Sequence, residues 1–442
     1  MNRHRVLLVV AGLVLSGLIA CGGGGSAPPT VTPPPPSTSK ETFPDPSGSV
    51  ETFSQPQIDN TNPFFTTLGT NGRTCATCHV ASDGWSITPA DLQQRFQSTQ
   101  GTDPVFRPND GANCPSADVS TLAAKTSAYS LLLNLGLIRM TLPVPANAEF
   151  SIITITDPYQ CPETTASMPA LYRRPLPSTN LKFLNGIMWD GREPELPTQA
   201  KDATLVHTQP ANPPTDAQVA QIVSLESSLF TAQSVDSLAG DLTSQGANGG
   251  PEFLSTQPFT AGMNSGAGFN PNVFTLYTNW AAATGANAAA QQSVARGEAL
   301  FNTFPMTITT VPGFNDVQGQ AQIAGTCTSC HNTPNVGSNS TFAMMNIGTT
   351  SPSPNLPSYL ILCNDSTQVV STDPGRAMVT GKCADISKFK VPSLRGLAAR
   401  APYFHNGSAE TLLDVVNFYD QRFNMLLTDQ EKADLVAFMS TL

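Results

Sequence analysis

The sequence predicts a mainly α protein built in two parts behind an exported leader, and three observations predict it. Two CxxCH motifs stand far apart, TCATCH ending at His79 and TCTSCH ending at His331. Several stretches place apolar residues at helical spacing behind capping signals, and no segment shows sustained strand alternation. An apolar N-terminal run and a Gly- and Pro-rich stretch come before all of these features.

The leader comes first. Arg3 and Arg5 precede an apolar run from Val6 to Ile19. At about 14 residues the run is short for a bilayer span and right for a signal peptide. It ends in Leu18-Ile19-Ala20-Cys21, which resembles the lipobox of bacterial lipoproteins. Residues 1–20 therefore read as a lipoprotein signal peptide and Cys21 as the lipidated residue, anchoring the chain to a membrane. GGGGSAPPTVTPPPPSTSK follows and cannot bury a core, so residues 21–49 read as a flexible, then extended tether. Gly22, by analogy with lipoprotein sorting, favours the outer membrane, with the body on the periplasmic side. A net charge of -10 and only 12% charged residues disfavour nucleic acid as a partner.

The nine cysteines divide by chemistry. Cys75, Cys78 and His79, like Cys327, Cys330 and His331, match the c-type haem attachment pattern. In that pattern the two thiols add to the vinyl groups and the histidine ligates iron. Zinc would require further Cys or His at short spacing, and none follows either motif. Two covalently bound haem c groups are expected. Cys114, Cys161, Cys363 and Cys383 remain, and an exported location permits disulfides. Three connectivities exist; Cys114–Cys161 and Cys363–Cys383 are favoured, because each pair lies within one loop region of its own domain.

An N-terminal domain is expected over 50–289, with an insertion at about 101–180, and a C-terminal domain over 290–442. In the first, Thr88 caps a helix with Pro89 at its first position. A second helix near 119–136 and a β-rich patch, FSIITIT, fall in the insertion. Thr215 and Gln218 form a capping box, followed by Val219, Ile222, Val223, Glu226 and Phe230 along one side. Glu226 is the exception on that apolar side. In the second domain Val294, Gly297, Glu298 and Phe301 share a helix face before TCTSCH, with Gly297 a close-contact position. Thr428 and Glu431 cap a terminal helix carrying Leu435, Phe438, Met439 and Leu442. A helix before CxxCH and another at the chain end match the crossed-helix frame of cytochrome c folds.

With both motifs, MWDGRE at 188–193, Gln199-Ala200, VARGEALFNT and the block DPGRAMVTGKCADISKFKVPSLRGLAARAPYFHNGSAETLLDVVNFYD, the chain resembles the bacterial di-haem cytochrome c peroxidases. The related di-haem enzyme that matures methylamine dehydrogenase belongs to the same group. The resemblance covers most of residues 60–442. It implies an oxidoreductase that reduces hydrogen peroxide, with a small redox protein or a quinol-linked donor supplying electrons, and often a homodimer. It makes Trp189 the bridge between the haems and puts Gln199 beside the peroxide-binding iron. Asp190 and Arg192 would hold haem propionates or the local turn.

Three departures matter. Where the family carries a catalytic glutamate, this chain has Gln209, and an amide cannot shuttle protons near neutral pH. His207 lies two residues away, and in an extended segment both would face the same way. It reads as an acid-base group, as a ligand to the first iron, or as a surface histidine. The family's resting-state distal histidine is replaced by Arg95. At the family's methionine ligand to the second iron stands Tyr419, with Met425 as the alternative; the maturation enzyme also has tyrosine there. His405 would hydrogen-bond near the second haem. Arg400 replaces a small hydroxyl residue at the family's calcium site, and a cation there would repel calcium, which leaves calcium doubtful. The alternative to a peroxidase is a membrane-anchored di-haem electron carrier.

Overall fold

The computed structural model describes residues 37–442. The leader, Cys21 and most of the stretch read as tether lie outside the described residues.

The tether reading is corrected at its C-terminal end. Ser39–Asp45 and Gly48–Ser54 form an antiparallel hairpin whose turn is held by Asp45, which accepts from the backbone of Ser47 and Gly48. The hairpin is completed into a four-stranded sheet by Leu229–Asp236 and Gly240–Asp241. Phe53 and Phe230, on neighbouring strands, then bury against Phe183 and Leu254. Phe230 thus belongs to a strand and not to the helix before it, which ends at Ser228.

The helices follow their caps. Pro89–Thr99 begins on Thr88, Asp216–Ser228 on Thr215 with Gln218, and Asp429–Ser440 on Thr428 with Glu431. The helix expected near 119–136 is two, Leu122–Ala128 and Ser130–Leu135. Asn113 breaks it: its backbone N–H donates to Ala128, its amide donates to Ser127, and its side-chain oxygen accepts from the Leu131 N–H. Ala288–Thr303 packs against Asp429–Ser440, where a methyl group at Gly297 would overlap the Asp434 carbonyl. Glu298 on the same helix is buried and fully engaged, accepting from the N–H groups of Leu276 (2.7 Å) and Tyr277 (2.8 Å) and from Thr278 (2.8 Å). Phe274 meets Phe301 and Phe438 edge-to-face beside this crossing.

Helix of all kinds accounts for 31% and strand for 17% of the described residues, so mainly α overstates the helical share. The strands are short, and most pair with partners distant in sequence. FSIITIT becomes Phe150–Thr156, paired with Ser358–Cys363, which pairs in turn with Gln368–Ser371. That sheet joins the expected insertion to the C-terminal part, and residues 37–442 form one compact unit with no division at 289.

The structure joins Cys114 to Cys161 and Cys363 to Cys383. The first closes a loop of 47 residues. Replacing both Cys114 and Cys161 with serine should lower stability by about 2–4 kcal/mol, read from the urea midpoint. A loss under about 0.5 kcal/mol would show that the unfolded chain is not constrained by this link.

Candidate functional site

The two motifs fold alike because they share a local grammar. In each, a threonine before the first cysteine donates its N–H to the hydroxyl three residues on: Thr74 to Thr77 (2.9 Å) and Thr326 to Ser329 (3.1 Å). One tight turn results, and the histidine N–H closes back on the first cysteine's carbonyl. His79 Nδ1 donates to the Trp85 carbonyl (3.0 Å) and His331 Nδ1 to that of Gly337. A carbonyl can only accept, so the proton sits on Nδ1 and Nε2 keeps its lone pair, the tautomer a metal requires.

Each motif lines its own cavity. Cys75, Cys78 and His79 line one of about 400 Å³; Cys327, Cys330 and His331 line one of about 190 Å³. None of the four cysteines is in a disulfide. Among the described residues, neither motif gathers its Cys and His into a cluster tight enough for a small ion. The one such grouping is Cys114, Cys161 and Glu163, whose cysteines are bonded to each other. Zinc therefore does not suit the motifs, and a flat group large enough to reach both thiols and the histidine does.

The cavities share a wall. Trp189, Arg174, Pro175, Leu176, Pro177 and Lys390 line both. Trp189 is fixed there by its indole N–H on the Arg174 carbonyl (2.8 Å), by the Lys390 N–H on its own carbonyl (2.9 Å), and edge-on against His405. Arg174 and Lys390 are buried and Arg400 stands beside them, and among the described residues none of the three makes an ion pair. Burial and then mutual repulsion lower Arg174 to about 10 and Lys390 to about 8, and burial lowers Arg400 to about 10. Arg400 Nε has no partner. The three donate to backbone carbonyls, Arg174 to those of Leu135 and Ile87, Lys390 to that of Gly186 and Arg400 to that of Ser393, which leaves three positive charges that a bound anion would offset. The paired propionates of c-type haem are such anions.

Gln199, on Leu196–Ala203, lines the first cavity, and so does His207. Gln209 does not, which corrects its placement. Residues 204–208 continue the helix as a π-type turn, and Gln209 closes it in a left-handed conformation, exposed. The extended segment that would have aligned His207 with Gln209 is absent. His207 is instead gripped from the insertion: its Nδ1 meets Asp110 Oδ2 at 2.7 Å, and Asp110 is also paired with buried Arg73. Burial alone would raise Asp110, but the His207 hydrogen bond and the Arg73 charge hold its carboxyl below the usual range. Arg95 pairs with Asp103 and donates to the Thr77 carbonyl (2.9 Å), bracing the first motif.

Tyr419 and Met425 both line the second cavity, as does His405, stacked on Phe389 at 4.1 Å. His405 is buried, its Nε2 has no partner, and burial lowers it to about 4, so it is neutral. Asp190 does not reach a cavity. It is wholly buried and pairs with Arg173 and Arg192, while Arg173 also grips Asp373.

Asp110, Arg174, Lys390 and Glu226 escaped the sequence reading as site residues. Only Glu226 left a signal there, as the acid on an apolar helix face.

No protein-family model matches the chain. Among curated proteins, a cytochrome-c peroxidase of Denitromonas iodatirespirans is 42% identical over 78 residues, 16% of this chain and 21% of that protein. The cytochrome c551 peroxidase of Nitrosomonas europaea is 33% identical over 131 residues, 29% and 33% of the two chains. That of Pseudomonas aeruginosa is 30% identical over 117 residues, 26% and 30%. The chain thus matches between about a fifth and a third of the length of these relatives. Among solved structures, a MauG-like protein associated with microbial copper homeostasis aligns over 86% of each chain at 14% identity, with a TM-score of 0.39. Over these segments the chain is similar in sequence to bacterial cytochrome c peroxidases.

Proposed function

We propose that the protein is a peroxidase-type oxidoreductase carrying two covalent c-type haems, one per cavity, which reduces hydrogen peroxide at the first and takes electrons in at the second. The observation that carries this reading is the wall shared by the cavities, with Trp189 in it and unpaired cations along it. Bound haem iron supplies the electron-transfer chemistry that side chains lack. The chain's own residues do the rest. Cys75, Cys78, Cys327 and Cys330 would anchor the groups, and His79 and His331 would bind them through Nε2. Arg174, Lys390 and Arg400 would hold propionates, and Trp189 spans the gap between the sites.

The reaction consumes one peroxide, two protons and two electrons and yields two waters. His207, with Nδ1 committed to Asp110, has Nε2 to take a proton from the nearer peroxide oxygen and return it to the farther one. Gln199 can orient the peroxide by hydrogen bonds but cannot carry its proton. On the second side Tyr419 would be the further protein ligand of the bound group, with Met425, which lines the same cavity, the competitor. The electron donor is proposed to be a small redox protein or a quinol-linked carrier. Two disulfides suit an exported body, proposed to work on the periplasmic side, tethered through Cys21.

Optical and EPR spectra of the ferric and half-reduced protein, before and after stoichiometric peroxide, test this. A high-spin first haem that reacts with peroxide is expected. Tyr419→Phe should alter the second haem's spectrum and Met425→Leu should not. Two low-spin haems unmoved by peroxide in both states would leave an electron carrier.

A further inference from the structure

Glu226 is the polar group of the first cavity that the reading above leaves without a task. It sits on Asp216–Ser228 among Val219, Ile222 and Leu225, is 6% exposed, and lines the cavity beside Cys75. Its Oε2 is buried without a hydrogen-bond partner. The contrast with Glu298 is instructive. Both are glutamates on the inward face of a helix, but Glu298 spends its carboxylate on two backbone N–H groups and a hydroxyl. Glu298 is structural; Glu226 makes no hydrogen bond to the groups around it and lines the first cavity.

The neighbouring elements supply no countercharge. On Leu196–Ala203, packed across it, Lys201 and Asp202 are exposed. On the turn Leu181–Phe183, Lys182 lies over the rings of Phe183 and Phe230. The titratable group facing Glu226 from the first motif is Cys75, which a thioether would make inert. On its own helix, Asp216 is exposed in the first turn. A carboxylate here would be uncompensated, so the acid form is favoured.

We propose that Glu226 is the proton donor of the first cavity, a neutral carboxylic acid that gives its proton to an oxygen of the bound peroxide as water forms. The inference rests on the peroxidase reading. His207 only relocates a proton that peroxide already carries, whereas each turnover needs two more. Over one turnover the peroxide O–O bond breaks, a Glu226 O–H bond breaks twice in succession and two O–H bonds of water form. The two electrons come from the redox donor proposed above, and the carboxylate is reprotonated from solvent water after each transfer.

Burial pushes the Glu226 carboxyl up to about 8. The donor is therefore present below that pH and lost as pH rises through it.

Infrared difference spectra of the ferric holoprotein between about pH 6 and pH 10 test the protonation directly. A protonated-carboxyl carbonyl band should be present at the lower pH, vanish at the higher, and be missing from Glu226→Gln. Peroxide reduction should fall as pH rises through about 8 in the native protein. Glu226→Gln should be slower by about 10²-fold and lack that limb, while Glu226→Asp restores part of it. No titrating band in the native protein overturns the proposal even if Glu226→Gln fails to fold. So does a Glu226→Gln protein with the native pH profile. A native protein that shows the band but reduces no peroxide overturns the peroxidase reading, and the proton-donor role falls with it. If peroxide is reduced but no band titrates, only the role of Glu226 fails.

Discussion

Replacing His207 with alanine is expected to lower the rate constant for peroxide reduction by about 10²- to 10⁴-fold, the range of a positioned acid-base group. The same substitution separates two roles, because they predict opposite signs. A histidine that moves protons takes the reaction with it when removed and leaves the first haem high-spin, as before. A histidine that ligates iron blocks the site, so removing it converts a low-spin haem to high-spin and speeds the reaction. The geometry favours the first role: the ring is oriented by Asp110, itself fixed by Arg73, and leaves one nitrogen for the cavity. Asp110→Asn keeps the shape but weakens that orientation, and should reduce the rate in the same direction by less. Stopped-flow kinetics with EPR of each variant checks all of this. A faster His207→Ala protein would sink the acid-base assignment.

What the sequence showed of this site divides by distance along the chain. The CxxCH turns were legible because everything that shapes them lies within about one helical turn: cap, cysteines, histidine. Helix starts were legible for the same reason. Trp189, Gln199, Tyr419 and Met425 were named through a resemblance, and the cavities include all four. The misreadings came from tertiary pairing. Ser39–Asp45 has a tether's composition, yet it is a strand because Gly48–Ser54 and Leu229–Asp236 supply partners. Gln209 was aligned with His207 on an assumed extended backbone, and a helical continuation turned it to solvent. The unpaired cations at Arg174, Lys390 and Arg400 are scattered in sequence, so no local pattern could announce them. Asp110 is 97 positions from His207. Such pairs are invisible until the chain folds.

Arg173→Ala carries the largest expected loss of stability, about 3–5 kcal/mol, because it strands two buried carboxylates. Arg173 gives Nε and a terminal nitrogen to Asp373 (2.6 and 2.9 Å) and its other nitrogen to Asp190 (2.6 Å). Asp190 is wholly buried, and Arg192 alone would remain to it. Burial works to raise Asp190, but Arg173 and Arg192 hold it below the usual carboxylate range. Its contribution is therefore full above about pH 4 and lost as pH falls through the depressed value. The consequence reaches function because the cluster sits at both ends of the Trp189 mounting. Asp190 follows Trp189 in the chain, and Arg174, whose carbonyl receives the indole N–H, follows Arg173. Loosening Arg173 should thus slow electron transfer between the two haems as well as lower the melting temperature. Trp189→Phe separates the effects: it should slow the transfer while leaving the buried ion cluster and most of the stability in place. Calorimetry and flash-induced electron transfer on both variants decide it. If Arg173→Ala transfers electrons at the native rate, Trp189 is held by its packing and not by the charges beside it.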